Sequence, residues 1–250
     1  MTVRAPTDCA GRLVIAIDGP AGSGKSTMAR LLAEKLGFFV LDSGALYRVM
    51  ALHLLRRGIS PDCETVPEAD LQALDLVIEP EVGLMRLFLD SEDVTGLIRE
   101  EQIGMSASRF SAKPEVRRTL LGLQRQAALK WDLVAEGRDM GSVVFPHAQV
   151  KFFLTAGLEV RSKRRHLELA GRGEDTDLCT VVSSMRSRDL RDESRRESPL
   201  VMAKDAIHID TTDLPPEEVL RLMVTRVREK IGTVQNFLRR STFSCNKIEK

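Results

Sequence analysis

Five short apolar runs punctuate the chain: Leu13 to Ile17, Phe38 to Leu41, Leu133 to Ala135, Val150 to Leu154 and Ala206 to Ile209. Most are followed by polar turn residues and then by a helical pattern. Buried strands interleaved with helices are what a parallel sheet covered on both faces requires, because neither face of such a sheet meets water. The pattern predicts an α/β fold with a five-stranded parallel sheet flanked by helices. In sheets of this kind ligands gather at the carboxyl ends of the strands. The segments that follow the runs, GPAGSGKS, DSGALYR, EGRDMGS, TAGLEVR and DTTD, are therefore where chemistry is expected.

About ninety residues separate the second run from the third, far too many for a simple connection. Within them, Pro61 to Glu81 mixes turn residues with short apolar stretches, Leu84 to Leu89 has strand composition, SEDVTG reads as a turn, and Pro114 to Trp131 is helical. This predicts an inserted subdomain over 61–131, a small antiparallel sheet with helices, set into a core of residues 13–60 and 132–232. A second stretch, Arg161 to Arg196, reads as irregular and holds nine arginines and one lysine against seven acidic residues. The segments 1–12 and 233–250 have no clear period and read as mobile termini.

The first post-strand segment is the most specific. Gly19, Pro20, Ala21, Gly22, Ser23, Gly24, Lys25, Ser26 and Thr27 match the P-loop spacing, between a strand closed by Asp18 and a helix opened by MARLLAEKL. With glycine at about 7% of average sequence, a chance match in a chain of this length is on the order of one in a hundred. Glycines let the backbone fold around an anion so that several N–H groups point inward, and the helix N-terminus adds partial positive charge. Lys25 is expected to reach the β- and γ-phosphates, and the Ser26 hydroxyl to ligate Mg²⁺. Thr27 is either a further phosphate contact or part of the first helical turn. The reading is a site for a nucleoside triphosphate.

Composition narrows the remaining classes. Lys+Arg 37 against Asp+Glu 36 leaves a net charge of +1, which implies no general affinity for nucleic acid or membranes. Cys9, Cys63, Cys179 and Cys245 are scattered without a CxxC pair, which argues against metal sites and a disulfide framework. No apolar run approaches the ~20 residues that span a bilayer, and MTVRAPTDCAGR lacks a signal-peptide core. A cytoplasmic monomer acting on small molecules is the expectation.

Three further constellations carry charge to the strand ends. In DSGALYRV, Arg48 lies one helical turn beyond Ser43, beside the P-loop, where a second phosphate would sit or where a plain surface arginine would do. In EGRDMGS, Glu136 takes a place where P-loop enzymes often keep a carboxylate near the metal, and Arg138 adjoins Asp139 as a ligand site or a structural ion pair. RSRDLRDESRR puts Arg188, Arg191, Asp192 and Arg195 on one predicted helix face, suited to a phosphoryl group in flight. Arg172, between two glycines, suggests a loop that closes over the site. Interleaved acids and the lack of nearby aromatics disfavour a nucleic-acid patch.

GPAGSGKST, LDSGALYRVMAL, SEDVTGLIR, SASRFSAKPEVRRTLLGLQR, VAEGRDMGSVVFP and RDLRDESRRESPL, in this order, resemble the bacterial cytidylate kinase family over about residues 13 to 230. The resemblance implies a P-loop nucleoside monophosphate kinase fold, with a CMP-binding insert and an arginine-rich lid over about 161–196. It implies transfer of the γ-phosphoryl of ATP to CMP or dCMP. Ser43, Arg48, Arg138 and Arg195 would hold the acceptor phosphate. Ser108, Arg117 and Asp139 would read cytosine, and Asp192 the sugar hydroxyls. Arg188 would join Lys25, Arg138 and Arg195 on the transferring group. The loop reads GKST where some relatives have GKGT, Glu136 stands where others carry Asp, and the tail has no counterpart. A kinase for another acceptor, such as another nucleotide or shikimate, shares the P-loop but not the cytosine-reading set. A GTP-dependent switch finds only superficial support in DVTG (Asp93 to Gly96) and NKIE (Asn246 to Glu249).

Overall fold

The computed structural model describes residues 12–174, 176–195 and 197–245, with side chains as far as residue 232. NKIE and the expectations for residues 1–11 lie outside the described residues. The chain opens with β1 (Val14–Asp18), the P-loop and α1 (Lys25–Leu36), then β2 (Phe39–Asp42) and α2 (Ser43–Arg56). Next come α3 (Glu68–Gln72), β3 (Leu76–Glu81), β4 (Leu84–Leu89), β5 (Glu92–Asp93), α4 (Glu101–Phe110) and α5 (Pro114–Lys130). The last part comprises β6 (Leu133–Gly137), β7 (Val150–Thr155), α6 (Leu158–Gly171), α7 (Leu178–Glu193), β8 (Ile207–Asp210) and α8 (Pro216–Cys245).

The five predicted apolar runs form one sheet, in the order β2-β6-β1-β7-β8 with every neighbour parallel. Register places Asp18 beside Gly137 and Asp42 beside Glu136, so the ends of the three strands that carry the charged turns lie side by side. The turn after β1 needs glycine twice over. Gly19 has φ 145, and a Cβ there would lie 2.0 Å from the Leu154 carbonyl oxygen; Gly24, the residue before α1, has φ 90. Local chemistry sets other boundaries: the Asp42 carboxylate accepts from the Ala45 amide at the start of α2, and Pro114 opens α5.

Residues 61–131 contain a three-stranded antiparallel sheet, β3-β4-β5. Pro80 falls in β3, at the end of this sheet, where its missing N–H interrupts no ladder. The SEDVTG segment holds a tight turn at Asp90 and Ser91, both with positive φ (50 and 68), followed by the short β5. The stretch from Arg161 to Arg196, read as irregular, is instead a hairpin of α6 and α7. Its helices bury Arg161, Ser162 and Asp192 alongside few apolar residues, so the hydrophobic period that marks a helix is faint. After residue 232, where no period was visible, α8 runs on to Cys245. Among the described residues no helix is long and apolar enough to cross a membrane.

Alternate residues of β1 divide the core. Ile15 and Ile17 pack with Leu32, Phe152, Met223 and Val227, under α1 and α8. Val14 and Ala16 join a larger cluster that runs through α2 and continues into Leu87, Leu89, Phe110 and Leu120. Segment 61–131 thus shares its apolar interior with one face of the main sheet. The α6–α7 hairpin has only Leu169, Val181 and Met185, with Ala21 and Leu158 against them.

A shared interior predicts shared unfolding. Leu87 is fully buried in the small sheet; Leu87→Ala should lower the global unfolding free energy by about 2–5 kcal/mol through lost contacts and a cavity. Urea denaturation followed by circular dichroism and by the single tryptophan, Trp131, should give one coincident transition. An earlier transition confined to one probe would mean that the inserted segment folds by itself.

Candidate active site

The P-loop wraps Lys25, which is buried and donates from Nζ to the Pro20 carbonyl at 2.7 Å. Ser26 and Thr27 remain exposed at the start of α1 and line a cavity of about 770 Å³. Glycine is needed again at Gly22, with φ 73: a Cβ there would come within 3.0 Å of Met185 and 3.1 Å of Arg161. The loop is held from behind. Arg161 Nη1 donates to the Ala21 carbonyl (3.0 Å) and to Asp189 (2.7 Å), while the Thr211 hydroxyl donates to the Ser23 carbonyl (3.1 Å). Arg164 donates to Thr211 Oγ1 and to its carbonyl. TAGLEVR and DTTD, flagged only as strand ends, thus supply the struts of the loop.

A second, smaller cavity of about 60 Å³ adjoins the first, with room for about two water molecules. Ser43, Arg48, Ser108, Arg117, Arg138, Asp139, Arg188, Asp192 and Arg195 all line it, together with Tyr47 and Ser111. Arg48, Arg138 and Arg188 line both cavities and so stand at the seam between them. Arg48 reaches over to donate to the carbonyls of Ile98 and Glu100. It fits because residue 104 is glycine: a Cβ there would lie 2.7 Å from the Arg48 guanidinium. Arg191 departs from the predicted face; it is exposed and donates to the Ser187 carbonyl of its own helix. Arg172 ends α6, lines the larger cavity, and donates to the Arg99 carbonyl at 3.0 Å.

Asp139 and Arg138 do not pair with each other. Asp139 pairs with buried Arg117, whose guanidinium also lies over the Tyr47 ring at 5.6 Å. Arg138 donates from Nε to Asp192 Oδ2 at 2.8 Å, and Arg195 pairs with the other oxygen of Asp192 and donates to Ser111 Oγ at 2.9 Å. Among the described residues the buried Ser108 Oγ, Arg188 Nε and Arg195 Nε find no hydrogen-bond partner, so three polar atoms beside the small cavity are left unsatisfied. Burial, then neighbouring Arg138, pushes Arg188 down to about 10. Burial raises Asp192, but Arg138, Arg195 and Arg188 outweigh it and hold the carboxyl below its usual range.

Burial also holds Lys25 well below the usual lysine range, and Glu136 well above the usual carboxylate range, with Asp42 adding to the latter. Glu136 and Ser26 line the same cavity. The Ser26 hydroxyl with the carboxylates of Glu136 and Asp42 is a set of hard oxygen donors at the floor of the larger cavity. Such a set suits Mg²⁺, which takes a few protein oxygens and fills its octahedron with phosphate and water. Sequence reasoning passed over Asp18, Tyr47 and Arg161. For Asp18 the signal was present: a carboxylate directly before the P-loop, at a strand end.

A family model described as cytidylate kinase matches residues 15–229, a span that holds every candidate residue above. The chain belongs to the cytidylate kinase family. It is 43% identical over 220 residues to the cytidylate kinase of Geobacter sp. (strain M21), covering 88% of this chain and 94% of that one. It is 46% identical over 221 residues to that of Pseudomonas entomophila (strain L48), covering 88% and 95%. The Pasteurella multocida (strain Pm70) cytidylate kinase is 41% identical over 220 residues, covering 88% and 97%.

Asp192 gives the site its most direct test. With the carboxylate gone, Arg138 and Arg195 would be left as uncompensated charges, so Asp192→Ala should destabilise the protein by about 3–5 kcal/mol at pH 7. The folded-state value lies below the ordinary 3.8, so the carboxylate contributes its stability above about pH 4 and loses it as pH falls through the folded value. Urea unfolding from pH 3 to pH 7 should show the gap to the parent protein closing at the acid end. A gap as wide at pH 3 as at pH 7 would mean that packing, not charge, is what Asp192 supplies.

Proposed function

We propose that the protein transfers the γ-phosphoryl group of ATP to CMP or dCMP, giving ADP and CDP or dCDP. The observation that carries this reading is the small cavity lined by Ser108, Arg117 and Asp139, which opens onto the P-loop cavity at Arg48, Arg138 and Arg188. Membership of the cytidylate kinase family supports it.

In this reading the P-loop amides and Lys25 hold the triphosphate of ATP. Mg²⁺, held by Ser26 with Glu136 nearby, neutralises charge on the phosphates when bound. The acceptor is itself a phosphate, whose oxygen already carries negative charge, so the transfer needs no general base. It needs instead that two anions be brought together. Ser43, Arg48, Arg138 and Arg195 hold the acceptor phosphate. Arg138 and Arg188, at the seam, face the equatorial oxygens of the group in flight, where their charge counts most in the transition state. Entry of a nucleotide widens the smaller cavity, and of the helices that flank it α7, which rests on few buried apolar side chains, is the part able to give.

Base choice follows from donor and acceptor chemistry. Cytosine offers an amino donor at position 4 where uracil offers a carbonyl. The Asp139 carboxylate accepts from that amino group, the Ser108 hydroxyl shares the task, and Arg117 donates to O2 and N3. Turning uracil O4 toward Asp139 leaves buried groups unpaired, a penalty of about 1–3 kcal/mol or more.

A coupled ADP-release assay over a panel of nucleoside monophosphates tests the assignment. CMP and dCMP should turn over well, UMP weakly, and AMP and GMP hardly at all; AMP or shikimate outpacing CMP would sink the proposal. Asp139→Asn presents an amide donor toward uracil O4, so it should lower kcat/KM for CMP by at least about tenfold and narrow the CMP-to-UMP ratio. If both nucleotides lose equally, Asp139 acts only through its ion pair with Arg117.

A further inference from the structure

Asp18 lies 3% exposed at the end of β1, immediately before the P-loop, yet its side-chain hydrogen bonds go to another segment, the turn after β6. Oδ1 accepts the Met140 amide at 2.7 Å and Oδ2 accepts the Gly141 amide at 2.7 Å. These are the two residues that follow Asp139. They open a single π-turn, Met140–Val144, in which the Asp139 carbonyl accepts from the amides of Val143 and Val144. Both carboxylate oxygens are thus spent on the backbone that carries Arg138 and Asp139. π-Turns are rare and mark places where a backbone is held against its ordinary preference, often beside a site.

The fit is close on the far side too. A Cβ on Gly141 would lie 3.1 Å from Lys151 Cδ and 3.3 Å from Asp18 Oδ2. Lys151 does not pair with Asp18; its ammonium donates to the Pro146 carbonyl (2.6 Å) and to Asp205 (2.8 Å). Among the described residues, Asp18 therefore has no cation bonded to it. Its fixed partners are two amide dipoles, with the charges of Lys25 and Asp139 nearby. A buried carboxylate with no paired cation is costly to keep. Burial raises Asp18 to about 6, against the pull of those two amides.

We propose that Asp18 is a positioning residue for acceptor choice: its carboxylate fixes the backbone of Met140 and Gly141 and thereby sets where Asp139 meets the base. This rests on the base-reading role proposed for Asp139. It makes β1 a shared stem. One end of the residue leads into the loop for ATP, while its side chain steadies the turn for the acceptor. Asparagine cannot replace it. An amide offers one acceptor oxygen, and its NH₂ would face one of the two backbone N–H groups, donor against donor.

The test separates acceptor handling from donor handling. In Asp18→Asn, calorimetric titration should give an affinity for a non-hydrolysable ATP analogue with Mg²⁺ within about threefold of the parent, because the P-loop struts Arg161 and Thr211 are untouched. CMP affinity should fall by about tenfold or more, with one buried N–H left unpaired. The kcat/KM ratio of CMP to UMP should narrow at least about threefold, a change that a general loss of stability would not produce. Gly141→Ala crowds the same carboxylate from the other side without altering β1, and should narrow the ratio likewise; it decides the matter if Asp18→Asn does not fold. Equal losses of ATP and CMP affinity, or an unchanged CMP-to-UMP ratio, would overturn the proposal. A parent protein that does not phosphorylate CMP would instead overturn the function on which it rests.

Discussion

Like charges crowd the seam between the two cavities, and one buried carboxylate makes that crowding tolerable. Two guanidinium groups about 4 Å apart repel by about 4 kcal/mol at the effective dielectric of a protein surface. Asp192 bridges Arg138 and Arg195, one oxygen to each, from a position that is 1% exposed. Arg188 receives no such bond, and its guanidinium is accordingly easier to deprotonate than usual. Compensation is therefore deliberately partial. Enough negative charge is present to let the site fold, and enough positive charge is left over to draw two anionic phosphates toward each other.

The same economy runs through the donor side. The P-loop turns through Gly19, Gly22 and Gly24 at positive φ, and residues so free in their backbone need outside contacts to fix the loop's shape. Arg161 and Thr211 tie its carbonyls from behind, and the tie through Arg161 passes to Asp189 on α7. The loop, the hairpin and the end of β8 are thus one hydrogen-bonded unit. Any shift of the hairpin reaches the loop through Arg161.

Much of this was legible in the sequence, for identifiable reasons. Strands buried on both faces need unbroken apolar residues, and the five runs supplied them in the right number. Anion-binding turns require glycine at fixed positions, so the P-loop announced itself. The resemblance to a known family placed nine side chains in what proves to be one small cavity. What stayed hidden was whatever depends on polar burial. The α6–α7 hairpin was missed because its inward positions include Arg161, Ser162 and Asp192 rather than a stripe of leucines. Arg191 shares a helical spacing with Arg188, yet it is exposed and bonded to its own helix, while Arg195, past the end of α7 at Glu193, reaches the cavity. Pairing is equally invisible to spacing: Arg138 and Asp139 are neighbours in sequence, yet each finds its partner on another element, Asp192 and Arg117.

The unequal division of the apolar core has a mechanical consequence. Segment 61–131 is welded to the sheet through a continuous interior that includes Leu41, Leu87 and Phe110, so it cannot open without disturbing the whole molecule. The α6–α7 hairpin rests on three buried apolar side chains, on the Arg161–Asp189 pair and on more exposed ion pairs, Arg165–Glu101 and Arg172–Glu168, which water can replace at little loss. Amide protons in the two regions should accordingly belong to different classes of exchange: those of β4 released only by global unfolding, those of α6 and α7 by a local and far more frequent opening. Stiffness is thus shared out unequally: segment 61–131 is bound into the main interior, and the hairpin is not.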